Sequence, residues 1–85
     1  MKIKNITYVD TNETRTDGRY PLRIGSEVNF FSPLILDTSM AFSYVKDNQG
    51  NPKSGILVTS TVKDIEETDT EIIVKTRNSI YYLEK

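Results

Sequence analysis

The chain has 85 residues, a formal net charge of −1 at pH 7, and neither histidine nor cysteine. Disulfides, thiolate metal sites, a cysteine nucleophile and histidine acid–base chemistry are therefore excluded. The near-zero charge lacks the overall positive field behind most nucleic-acid binding, and a domain this short hides only about 60–65% of its extended-chain surface, which leaves little room for a deep pocket.

Lys2 to Val9 sets Lys2 and Lys4 against Ile3 and then reaches Ile6, Tyr8 and Val9, which predicts a strand with an irregularity near Asn5. Met1 to Ile6 holds charge and no apolar run of signal-peptide length, and no later segment approaches the ~20 apolar residues of a membrane span. The expectation is a cytoplasmic protein with no membrane segment, in keeping with the absence of cysteine. Asp10 to Arg19 is rich in Thr, Asp, Asn and Glu and reads as a mobile loop turning at Asp17-Gly18. Tyr20 to Ile24 reads as a short edge strand, since Pro21 cannot donate a ladder hydrogen bond. Gly25-Ser26 then turns the chain into a strand from Glu27 to Phe31.

Ser32-Pro33 interrupts, and Leu34-Ile35-Leu36 fits either a short strand or one turn of 3₁₀ helix. Met40 to Lys46 alternates Met40, Phe42 and Tyr44 with Ala41, Ser43 and Val45, the period of a half-buried strand. Asp47 to Gly55 is a loop; its Asp47-Asn48-Gln49-Gly50-Asn51 run lacks the spacing and closing glutamate of a calcium loop. From Ile56 the β-branched and aromatic content rises, and Ile56 to Glu66, Glu71 to Arg77 and Ser79 to Glu84 form a three-strand meander. Thr68-Asp69-Thr70 supplies its first turn and Arg77-Asn78 its second, with Asn78 suited to the left-handed conformation of tight hairpins. Val62 and Ile65 differ in parity, so a bulge between them lets both face inward.

About six or seven short antiparallel strands with no helical segment between them indicate one all-β domain over residues 1–85, a small barrel or sandwich, with an SH3-like barrel preferred because closure hides strand edges. Neighbours on a strand point to opposite faces, so Phe30-Phe31 and Tyr81-Tyr82 cannot all enter one core. Parity with Val28 puts Phe30 inside and Phe31 outside; parity with Leu83 puts Tyr81 inside and leaves Ile80 and Tyr82 on the other face. Phe31, Ile80 and Tyr82 are accordingly the candidate anchors of a docking surface, against the plainer reading that Leu34 to Leu36 or a loop covers them. Lys75 and Arg77 with Tyr82 would make a stacking surface for single-stranded nucleic acid if pairing brings them to one face. The acidic run from Asp64 to Glu71 spaces alternate carboxylates about 6.5–7 Å apart and would mimic a phosphate row, although a solvated hairpin tip explains it more simply.

No glycine-rich phosphate loop is present, and Thr59-Ser60-Thr61 has no histidine to activate a hydroxyl. Neither cofactor nor metal is implied, and the expected protein is not an enzyme. The leading expectation is a non-catalytic interaction module for a protein partner, or for a second copy of itself, through exposed strand edges or the aromatic face. A nucleic-acid-related accessory is the alternative. The segments from Leu57 to Ile65 and from Ile73 to Glu84, with a Thr-Ser step before Val and Ile and then a Val, Thr, Asn-Ser, Tyr, Leu hairpin, resemble short uncharacterised all-β proteins of Gram-positive bacteria and their phages. That resemblance covers roughly the last third of the chain. It implies a small accessory protein, encoded by a mobile element, and carries no site residues.

Overall fold

Period-two alternation sorts the large apolar side chains to one side of each strand, and the chain closes around them. The computed structural model describes residues 1–85. It has β1 (Lys2–Tyr8), α1 (Tyr20–Arg23), β2 (Glu27–Phe30), β3 (Ser39–Lys46), β4 (Ile56–Glu67), β5 (Glu71–Thr76) and β6 (Ser79–Glu84). Six antiparallel strands, paired in chain order and with β6 returning to β1, form a ring of barrel form. The strand reading from Ile56 onward holds, with the meander turning at Thr68-Asp69-Thr70 and Arg77-Asn78. The pairing shifts register at four places, two of them in the pairs that β3 makes with its neighbours. One shift lies between Ile3 and Asn5, where the irregularity was expected, and one between Val62 and Asp64, which lets Val62 reach the core and Ile65 pack against it.

The ring is thinnest between β1 and β2, which share only the register pair Lys2 with Glu27. Around it Ile3 N–H donates to Ser26 O at 2.9 Å, Gly25 N–H to Ile3 O at 2.7 Å and Val28 N–H to Met1 O at 2.8 Å. Beyond Ile3 the two strands part, and the segment after β1 turns back to fill the space. Arg15 N–H donates to Ile6 O at 2.8 Å and Tyr8 N–H to Glu13 O at 2.9 Å. The expected mobile loop from Asp10 to Arg19 is thus corrected: it is laid against β1 and held there. Asn12, at φ 60°, turns its side chain inward so that Oδ1 accepts from Thr7 Oγ1 at 2.9 Å and Tyr82 Oη at 2.7 Å. Asparagine tolerates that left-handed backbone better than most residues.

Three further expectations give way to local physics. Tyr20 to Ile24 is not an edge strand: Tyr20–Arg23 is one turn of helix, because Pro21 in the first helical turn has its φ already set and its missing N–H is not needed there. Leu34-Ile35-Leu36 is neither strand nor 3₁₀ turn; it runs irregularly into a turn at Asp37 (φ 66°), whose N–H donates to Val62 O at 2.9 Å. Asn78 stays at negative φ, and the β5–β6 turn is held instead by Thr76 Oγ1, which donates to Ser79 O at 3.0 Å and accepts from Ser79 N–H at 3.1 Å.

One glycine is required where α1 passes into β2. Gly25 has φ +94°, and a Cβ there would lie 3.3 Å from Asn48 Cβ. Gly25→Ala is expected to destabilise by about 1–3 kcal/mol, from the left-handed backbone and the contact together. Gly18→Ala, at φ +54° with nothing within 4 Å, serves as the control and should lose only about 1 kcal/mol. Urea unfolding of the two variants checks the difference, and equal losses would remove Asn48 from the account.

Candidate functional site

The ring order decides which of the sequence-selected residues meet. On one flank, Phe31 N–H donates to Ala41 O, and Ala41 pairs with Val58. Phe31, one residue past the end of β2 and so outside the strand expected to include it, forms a row with Ala41 of β3 and Val58 of β4, and the next row brings Ile56 opposite Ser43. Phe31 is 64% exposed, Val58 61% and Ile56 48%. Phe30, by contrast, packs on the core and stacks on Phe42 with ring centroids 5.5 Å apart. No loop covers Phe31; Ile35 and Leu36, in the same β2–β3 connection, are themselves more than half exposed.

On the opposite flank, β5, β6 and β1 carry Lys75 opposite Ile80, and Ile80 opposite Thr7, with Tyr82 one row along beside Asn5 and Ile73. Lys75, Ile80 and Tyr82 thus share a face, while Arg77 sits in the exposed turn beyond it. Ile80 and Tyr82 are half-buried, and the Tyr82 hydroxyl is held by Asn12. Phe31 bonds towards β3 whereas Tyr82 pairs with β1 and β5, so no register row joins the two. The acidic run is partly paired: Glu71 Oε2 lies 3.0 Å from Lys4 Nζ and Glu67 Oε2 lies 2.6 Å from Lys85 Nζ.

A third feature is the mouth of the ring beside α1. A cleft of about 290 Å³ lies there, walled by Leu22, Tyr44, Ile56 and Leu57 and carrying Arg19, Arg23 and Lys53, with no carboxylate in its lining. None of the three cations has a carboxylate within ion-pair distance, since the chain's salt bridges use Lys4, Arg15, Lys63 and Lys85. Two of them instead sit over rings, Arg23 Cζ at 5.0 Å from the Tyr20 centroid and Lys53 Nζ at 4.1 Å from that of Tyr44. Beneath the cleft, burial pushes the Tyr81 phenol up to about 12; Tyr20 adds to the rise and Arg23 opposes it. The cleft is thus a fixed positive concavity with apolar walls, suited to holding an anion beside an apolar group.

Sequence reasoning missed this mouth. Arg19 and Arg23 are brought together by the helical turn at Pro21, and Lys53 arrives from the loop between β3 and β4. It also missed Arg15, which ties its own loop to the β5–β6 turn and to the first residue of α1. Arg15 Nε and Nη2 donate to both carboxylate oxygens of Asp17 at 3.0 and 2.7 Å, Nη1 donates to Asn78 O at 2.7 Å and Ser79 Oγ at 3.0 Å, and the guanidinium lies over Tyr20 and Tyr8 with Cζ 4.0 and 4.7 Å from the ring centroids.

The Arg15 hydrogen bonds hold the Asp17 carboxyl down at about 2, below its ordinary 3.8. A carboxyl with a depressed folded pKa stabilises the fold above its unfolded value and ceases to do so as pH falls through the folded one. The Asp17 contribution is therefore complete above about pH 4 and lost between about pH 4 and pH 2. Asp17→Asn is expected to flatten the fall of stability across that window, as read from urea midpoints measured at a series of pH values; an unchanged slope would mean that other carboxyls govern it. Comparison of the chain with protein-family models, with curated proteins and with solved structures found no match in any of the three.

Proposed function

We propose that this chain is a non-catalytic interaction module, an SH3-like small barrel of the cytoplasm that docks a protein partner on the outer face of β2, β3 and β4. The observation that carries the reading is the exposure of Phe31 on one side of β3 and of Ile56 and Val58 on the other, with Ala41 and Ser43 between them. Large apolar side chains scattered singly over a surface need no explanation, whereas a row of them set by strand register is what a docking face requires. Ile56, one row along from Val58 on the same face of β4, also lines the cationic mouth, so the two features adjoin. An accessory role, encoded by a mobile element, is part of the same proposal.

Phe31→Ser combined with Val58→Ser, at positions whose side chains are mostly in water, is expected to leave the unfolding midpoint within about 0.5 kcal/mol of the parent while abolishing partner recovery in an affinity pull-down. Undiminished recovery by the double variant would end this reading. The second reading, a nucleic-acid accessory, draws on the shared face of Lys75, Ile80 and Tyr82; a single, half-covered ring gives it only one stacking platform.

A further inference from the structure

We infer that the mouth beside α1 receives an extended acidic segment of the protein partner, its carboxylates meeting Arg19, Arg23 and Lys53, a proposal that rests on the docking reading above. Three cations converge on one cleft without a single carboxylate in its lining, although Asp and Glu make up 12 of the chain's 85 residues. Unpaired positive charge in a concavity attracts anions more strongly than the same charge on a flat surface, because the low-dielectric walls focus the field.

The strand beside the cleft points to extended peptide rather than to an isolated anion. β4 pairs with β5 only from Val62 onward, and no backbone hydrogen bond joins Ile56 to Thr59 with anything but β3. The other side of that stretch is free to take a peptide backbone, the arrangement in which main-chain bonds give affinity and neighbouring pockets read alternate side chains. Leu22, Ile56 and Leu57 offer such apolar contact between the cations. Nucleic acid fits less well: Arg15 and Arg23 already lie over Tyr20, and Lys53 over Tyr44, so these rings have a face occupied that a base would need. The positive region is also short, and a phosphate backbone running past it meets a chain whose acidic residues outnumber its basic ones.

The probe is a fluorescent peptide of alternating Asp or Glu and Leu, about eight residues or about 26 Å when extended, set against a molecule of 31 × 27 × 24 Å. Its partners in the experiment are the same peptide with Lys in place of the acids, and an oligothymidylate. The acidic peptide is expected to bind the intact chain at about 0.05 M salt, to weaken at about 0.5 M, and to shift the amide resonances of Leu22, Ile56 and Leu57. Arg19→Glu with Lys53→Glu, both at exposed positions, should weaken it at least about tenfold while the chain remains folded, as its amide spectrum shows. Absence of binding at low salt, equal binding of the Lys peptide, undiminished binding by the reversed variant, or tighter binding of the oligothymidylate would each overturn the proposal. Phe31→Ser alone, at a position outside the free stretch of β4, should leave peptide affinity as it is, so a failed docking face and a failed peptide cleft give different results.

Discussion

Arg15→Ala is expected to lower the stability of this chain by about 2–4 kcal/mol, the net worth of several hydrogen bonds to a charged group together with its ring contacts. The Arg15 side chain is only 14% exposed and joins three parts of the fold: its own loop through Asp17, the β5–β6 turn through Asn78 O and Ser79 Oγ, and α1 through the Tyr20 ring. Removing it leaves the Asn78 carbonyl short of its donor and Tyr8 and Tyr20 without the group packed between them. For a domain of this size total stability is of order 4–13 kcal/mol, so the variant should unfold at a markedly lower urea midpoint. Arg15→Lys should recover less than half of the loss, because one ammonium cannot supply the forked geometry that reaches Asp17 and the turn at once. Hydrogen exchange gives an independent reading: the Asn12 and Arg15 amides, bonded to Tyr8 O and Ile6 O, should exchange faster in Arg15→Ala than the Val74 and Tyr81 amides of the β5–β6 pair. A loss below about 1 kcal/mol would make Arg15 an ordinary surface residue.

The difference between what is legible in this sequence and what is not follows from range. Alternation is a local signal, so the strands from Ile56 onward, the half-buried run from Met40 to Lys46 and the outward Phe31 can all be read residue by residue. The Val62 bulge is legible for the same reason, since two inward residues of opposite parity on one strand leave no other solution. The Asp10 to Arg19 segment misleads because its composition matches a solvated loop, while its order comes from partners as distant as Asn78 and Tyr82. Pro21 is compatible with an edge strand and with the first turn of a helix alike, and only the space left where β1 and β2 part selects the helix. The mouth depends on that same choice. Without the helical turn, Arg19 and Arg23 would share one face of a strand but stand about 13 Å apart, with no reason to converge on Lys53. Phe31 and Tyr82 share a correctly read outward orientation, yet no register row joins them, and register between distant strands is not written in local pattern.

Phe42→Ala should be the most damaging single change, at about 3–5 kcal/mol, because it removes a fully buried ring from the centre of a small core. Phe42 has no exposed surface, stacks on Phe30 at 5.5 Å and meets Tyr81 at 6.2 Å with a 50° tilt. Aromatic pairs of this kind add about 0.5–1.5 kcal/mol beyond the area they bury. The strands around it cannot close over the space left, since β3 is held by β2 on one side and β4 on the other. Phe42→Leu keeps most of the volume and should lose only about 1–1.5 kcal/mol, which makes it the variant in which the core can still be examined folded. There the Tyr81 phenol is the internal gauge. Burial raises it from 10.0 to about 12, so the fold is least affected by this group below about pH 10 and loses stability as pH rises from about 10 to about 12. Loosening the contact with residue 42 admits water to the phenol, and its ultraviolet titration should then move down towards pH 10 while the alkaline loss of stability shrinks. A phenol still titrating near 12 in Phe42→Leu, together with a loss below about 1 kcal/mol in Phe42→Ala, would show that the core is organised around residues other than this aromatic trio.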